Sequence, residues 1–225
     1  MSAFSQPSVL LSVRGTTIPS DRDAVRSLHN QTAGAPEGVA AARALGDLSH
    51  SVFTPLPGAP GAEQNELLFL DVWKDASGIG TFFSDEQVQQ GAGLLFSERE
   101  AVIWMPAEGA FGFELPAPMS LSGRYLGIVR GSIDDPQHTI DVLRKTHEAG
   151  ISDARRLGQL SHQLFIRVSM PCESAQLEAI GLDLWADAAG MGEHYSNLTG
   201  FEAAFSGDVQ TSVWEQGPGG NWTEW

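Results

Sequence analysis

Hydrophobic and polar positions follow one series of patterns along this chain, and the series occurs twice. VLLSVRGT (9–16) and YLGIVRGS (125–132) read as strands of mixed apolar character, each ending at a glycine turn. A helix follows each. The first begins at Ser20-Asp21, the second at Asp135-Pro136, a capping residue with proline at the first helical position. The predicted stops are Ala33-Gly34 and Ala149-Gly150, with glycine at its usual C-terminal place. A short helical turn, 38–46 or 151–158, leads into LSHSVFTPL (48–56) or LSHQLFIRV (160–168). Loops containing Pro57–Asn65 and Pro171–Ala175 come next, then the strands ELLFLDVW (66–73) and LEAIGLDLW (177–185). A longer helix is expected from Gly78 or Gly190. Its apolar positions are Ile79, Phe82 and Phe83 in one series and Met191, Tyr195 and Leu198 in the other, which suits a helix with one buried face. AVIWM (101–105) and VQTSVW (209–214) end the two series as strands.

Each series is therefore β-α-β-β-α-β, the ferredoxin-like split unit. The residues repeat as well as the pattern. ARALGDLSHSVF (42–53) answers ARRLGQLSHQLF (154–165), and LDVWKDASGIG (70–80) answers LDLWADAAGMG (182–192). Ordered matches over about 110 residues point to a duplicated domain and not to a short solenoid repeat. The division read from this is a first ferredoxin-like repeat at 1–110, a Gly- and Pro-rich linker at 111–124 and a second repeat at 125–225. Two copies of one small fold usually pack about a two-fold axis. ELLFLDVW is apolar on both faces, so both faces should be covered. The expected fold class is α+β, with the repeats packed sheet-to-sheet as a pseudo-dimeric α+β barrel. The chain would be a monomer acting as a pseudo-dimer, with further homo-oligomers open. The tail GPGGNWTEW reads as a mobile end unless Trp222 and Trp225 dock.

Composition narrows the function. The 225 residues carry a net charge of −15, with only Lys74 and Lys145 as lysines, so the basic footprint of a nucleic-acid binder is missing and anionic membranes are disfavoured. Cys172 is the single cysteine, which excludes an internal disulfide framework and a multi-cysteine metal site. The N-terminal stretch lacks a basic region followed by an apolar run, and no stretch approaches membrane-span length, so a cytoplasmic protein is expected. The six histidines show no HxH or HExxH spacing, and flavin, nicotinamide and phosphate-loop motifs are missing.

The strands ending Leu-Asp-Val-Trp73 and Leu-Asp-Leu-Trp185, the acidic turns at Asp75 and Asp187, and the aromatic-bearing helices after them resemble the dimeric α+β barrel superfamily, in particular its antibiotic biosynthesis monooxygenase-like members. Many relatives place a histidine nine residues after that tryptophan. Here that position is His194 in the second series and Phe82 in the first. The resemblance implies a cofactor-independent monooxygenase-like enzyme for a small aromatic or polyketide-like substrate. An isomerase or cyclase on the same scaffold is the alternative. Haem degraders of the superfamily carry a histidine about nineteen residues after the tryptophan; Ala92 and Ala204 stand there, and axial ligation needs a nitrogen or sulfur donor. The expected cofactor list is empty.

The residues suggest where chemistry would sit. His50 and His162 lie mid-strand, and a neutral imidazole in a pocket can act as general base; each could equally be a hydrogen-bonded structural histidine. Trp73 and Trp185 share faces with Asp71 and Asp183, an aromatic wall beside an orienting carboxylate, or else core packing and a turn. Trp104 and Trp214 read as core or barrel closure. His194 and Tyr195 face Phe82 and Phe83 across the repeat, so the second copy alone keeps titratable groups there. Its expected site combines His162, Trp185, His194 and Tyr195 as proton movers and oxyanion donors, with Phe165 added to the binding wall. A sealed apolar core at these positions would instead favour a non-catalytic small-ligand-binding protein.

Overall fold

A computed structural model describes residues 8–114, 124–168, 177–218 and 220–225; most of the linker, the loop after the second LSH strand and Cys172 lie outside the described residues. The first half runs β1 (Val9–Thr17), α1 (Arg22–Gln31), α2 (Pro36–Ala44), β2 (Asp47–Pro55), β3 (Glu66–Trp73), α3 (Ala76–Phe83), α4 (Glu86–Leu95) and β4 (Phe96–Pro106). A two-residue β5 (Phe113–Glu114) follows. The second half runs β6 (Tyr125–Ser132), α5 (Pro136–Arg156), β7 (Gln159–Arg167), β8 (Glu178–Trp185), α6 (Ala188–Asn197), a 3-10 turn at Phe201–Ala204 and β9 (Gln210–Gln216).

The helix ends follow local chemistry. Asp21, Asp75, Asp85, Asp135 and Asp187 each cap a helix through side-chain acceptance of backbone N–H groups. Two expectations change. α5 does not stop at Gly150 but continues through it to Arg156, whereas the first half breaks into α1 and α2. Pro36 explains the difference: it removes an N–H and disfavours helix at the preceding residue, and no proline stands in the second half there. The long helix expected from Gly78 is divided at Ser84-Asp85, where Asp85 starts a new helix, and the second half replaces its last part by the 3-10 turn.

The strand order is β4-β1-β3-β2 in the first half and β9-β6-β8-β7 in the second, the same order with all pairs antiparallel. The halves meet edge to edge. β2 pairs with β9 and β4 with β7, so eight strands close into a barrel and β5 adds to β7. The expectation of two separate sheets packed one on the other is corrected in one respect: the strands of both halves form one hydrogen-bonded sheet, joined at two short seams and closed into a barrel across which their inner faces meet.

Alternation then sorts the side chains. Leu68 and Leu70 of β3 point into the barrel, where they pack with Phe53, Trp104, Phe165, Ile180, Leu182 and Trp214 from both halves. Leu67, Phe69 and Trp73 point outward and are covered by the helices with Leu11, Val25, Ile79 and Phe96. Both faces of ELLFLDVW are buried, as its pattern predicts. Trp104 and Trp214 are wholly buried inside the barrel, each donating its indole N–H to a serine, Ser12 or Ser212.

Candidate functional site

The outward faces of β2 and β3, beneath the helices, carry the first constellation. A glycine with φ of 103°, Gly46, turns the chain from α2 into β2, and Gly158 repeats the turn at the same φ in the second half. From there His50 projects outward, opposite Asp71 in the strand register. Nδ1 of His50 lies 2.6 Å from Asp71 Oδ1. Its Nε2 lies 3.1 Å from Nε2 of His29 on α1, and both rings are buried.

Hydrogen-bond polarity assigns the protons. The Asn30 amide N–H donates to the Asn221 carbonyl, and its oxygen accepts from the Thr223 N–H. That oxygen also faces Nδ1 of His29 at 2.9 Å, so His29 donates from Nδ1 and its Nε2 is a lone pair. His50 must then donate from Nε2 to His29 and from Nδ1 to the Asp71 carboxylate, as an imidazolium does. The electrostatics agree. Burial and the adjacent His50 lower the His29 pKa to about 4. Burial works against charging His50, but Asp71, Asp47 and Glu224 outweigh it and raise its pKa. Neither nitrogen of His50 is left for a substrate, so its expected role as a direct general base is not what this geometry provides.

The C-terminal tail completes this constellation. Trp225 exchanges two backbone hydrogen bonds with His50 and stacks on its ring at 4.5 Å between centroids. Glu224 accepts the Val52 N–H, and Trp222 is buried against His29. The alternative held open for Trp222 and Trp225, docking, is the one realised.

Above His50 and Asp71 lies a cavity of about 770 Å³ between the sheet and α2, α3 and α4. Phe69, Trp73, Phe82, Phe83 and Phe96 wall it, and Asp47, His50, Asp71 and Trp225 reach it from the sheet side. Asp47 is 5 % exposed, and its Oδ1 has no hydrogen-bond partner. Burial, then the neighbouring Asp71 carboxylate, pushes its pKa up to about 7 against the pull of His50 and the Trp225 indole. The indole N–H and Asp47 Oδ1 nevertheless both miss hydrogen-bond geometry.

The second half repeats the plan with different occupants. His162 Nδ1 lies 2.6 Å from Asp183 Oδ1, and His147 of α5 stacks on His162 at 3.7 Å between centroids. Burial, then His162, lowers the His147 pKa to about 4. Phe113 of β5 pairs with His162 in register and stacks against His147. Tyr195 turns inward as expected, but its hydroxyl donates to Asp183 Oδ2 at 2.8 Å and not to His162. Burial and Asp183 drive its pKa well above the ordinary phenol value. Burial opposes ionisation of Asp183, yet His162 and the Tyr195 hydroxyl hold its pKa low. Trp185 is wholly buried beneath Tyr195 and His194, and burial lowers the His194 pKa.

Of the other expected site residues, Trp73, Asp71 and Phe82 meet at the first-half cavity. Phe165 does not reach His162. It points into the barrel because three positions along β7 reverse the face. Sequence reasoning missed His29, His147, Asp47 and the partnering of Trp225. Asp47 had a visible signal: it stands just before the first LSH strand where Gln159 stands before the second.

No protein-family model matches the sequence, and no curated protein matches it. Solved structures do match the fold. A putative monooxygenase from Lactobacillus acidophilus NCFM superposes with a TM-score of 0.59 at 8% identity, covering 93% of this chain and 94% of the other. An anthrone oxidase-like protein gives 0.61 at 12% identity over 94% and 92%. A variant of DypB from Rhodococcus jostii RHA1 in complex with haem gives 0.53 at 11% identity over 95% and 94%. At these identities the likeness is one of fold, the dimeric α+β barrel. Among the described residues no helix is long and apolar enough to cross a membrane.

Proposed function

We propose that this chain is a tandem duplication of one βαββαβ unit, a pseudo-dimer in a single polypeptide, whose first half holds the active cavity of a cofactor-independent oxygenase-like enzyme for a small aromatic hydroxy compound. The repeated strand order and the matched residues support the duplication. The observation that carries the functional reading is the aromatic-walled cavity of about 770 Å³ whose lining holds a His–Asp pair and a buried carboxylate with one oxygen lacking a partner. The names of the neighbouring folds, a putative monooxygenase and an anthrone oxidase-like protein, point the same way.

In this reading the aromatic walls bind the ring. Deprotonation of a ring hydroxyl makes the ring electron-rich, and its carbon attacks dioxygen. The O–O bond breaks, one oxygen remains as a quinone carbonyl and the other leaves as water, so the ring C–H and O–H hydrogens account for that water. The protein supplies a base, a buried positive charge on His50 and exclusion of bulk water.

Haem does not fit this cavity. Ala92 and Ala204 stand where the resemblance places an axial ligand, and both nitrogens of His50 are engaged.

Oxygen uptake with a panel of phenols, hydroquinones and anthrones tests the proposal. Turnover with one oxygen atom recovered in the product is expected. A compound converted without oxygen uptake would make the protein an isomerase or cyclase. A compound bound but unchanged would make it a binding protein.

A further inference from the structure

The first-half cavity needs a group that takes the substrate proton, and the His–Asp pair does not supply it. His50 spends both nitrogens on Asp71 and His29. We propose that Asp47 is the catalytic base of this cavity, accepting the proton of a ligand hydroxyl on its side-chain carboxylate. The proposal rests on the reading of the cavity as the substrate site.

Several observations support Asp47. It lines the cavity, it is 5 % exposed, and its buried Oδ1 lacks a hydrogen bond, so its carboxylate is incompletely satisfied by the protein. Its strand register fixes it opposite Trp73, at the aromatic wall. The equivalent residue of the second half, opposite Trp185, is Gln159, which is the same depth in the fold and cannot take a proton. The acidity also fits, since a carboxylate poised near 7 exchanges protons at neutral pH where an ordinary aspartate remains ionised.

The step is a proton transfer alone. The ligand O–H bond breaks, an O–H bond forms on Asp47, and the electron pair remains on the phenolate oxygen. The groups facing Asp47 are Asp71 on β3, His50 on its own strand and the Trp225 indole of the tail; Glu37, Asp85 and Arg99 lie elsewhere in the cavity lining. Asp71 disfavours a second negative charge beside it and so favours the protonated product form of Asp47. The imidazolium of His50 favours the phenolate.

Binding of 4-methylphenol, which stays neutral across the range used, tests this by calorimetry at about pH 6 and about pH 8. 4-Methylanisole, which has no hydroxyl donor, is the control. Ionisation of a group with a pKa of about 7 changes about tenfold over that interval, so about tenfold tighter 4-methylphenol binding is expected at the higher pH. Asp47→Asn should bind with no such gain, and 4-methylanisole should be indifferent to pH in both proteins. Any contribution from His50 persists in Asp47→Asn and is thereby separated. Equal pH dependence in wild type and Asp47→Asn, or none in either, overturns the role of Asp47 and leaves the cavity assignment intact. No binding of either compound overturns the cavity assignment and Asp47 with it.

Discussion

The two halves share a scaffold and differ in what fills it. In the second half Tyr195 reaches Asp183, and Gly127 on β6 makes room: a Cβ there would lie 2.1 Å from the Tyr195 hydroxyl. In the first half the corresponding residues are Phe83 of α3, which has no hydroxyl to offer Asp71, and Leu11, which lies opposite Asp71 as Gly127 lies opposite Asp183. The second half therefore satisfies the carboxylate of Asp183 internally, whereas in the first half Oδ1 of Asp47 is without a partner, as the side-chain amide of Gln159 is at the equivalent place in the second. The His–Asp pair is thus present in both halves, while its surroundings differ between them.

The largest expected effect that would break this comparison is on turnover. With a substrate in hand, Asp47→Asn should lose on the order of 100-fold in kcat, the usual worth of a positioned base, while Gln159→Leu and Tyr195→Phe in the second half should stay within about twofold. Comparable losses on both sides would mean that both halves work.

Stability should divide the halves next. Gly127→Leu drives a side chain into Tyr195 and should cost about 3 kcal/mol in denaturant melts, with much of that cost recovered when Tyr195 is also made Ala. Additive costs would show that the two residues do not share the space.

Removing residues 221–225 takes away the cap on His50 and the partners of Asn30, and should cost about 2 kcal/mol. His29, whose pKa is held at about 4, should then titrate closer to its ordinary value of about 6.5, which NMR of the ring protons would read.

The smallest effect is a pH signature. The folded pKa of Asp47 is raised, so its contribution to stability is fully present below about 4 and is lost as pH rises through about 7. Asp47→Asn should therefore raise Tm more at pH 8 than at pH 5, by the equivalent of about 1–2 kcal/mol. His29 and His147 act oppositely. Their folded pKa values are depressed, so their contribution is present above about 6.5 and is lost as pH falls toward 4.

Much of the scaffold was legible because it is written in strong periodicity. ELLFLDVW and YLGIVRGS match β3 and β6 residue for residue. Helix ends were harder. Gly150 looks like a stop, yet α5 passes through it because packing and the lack of a proline outweigh a modest glycine cost. The site was the least legible. His29 and His50 are 21 residues apart and meet only through the fold, and Trp225 joins them from the far end of the chain. No spacing rule carries that. The hydrogen bond from Tyr195 to Asp183 likewise joins residues 12 apart that no spacing pattern would have paired.

The aromatic caps cross over. Trp225, after the last strand of the second half, lies on His50 of the first, and Phe113, after the last strand of the first half, pairs with His162 of the second. Together with the β2–β9 and β4–β7 seams, this means that each half borrows a strand edge and an aromatic lid from the other. Part of the cover over His50 and over His162 therefore comes from the other half. The two halves are therefore expected to lose their structure together, in one cooperative transition that melts followed by different probes would show as coincident.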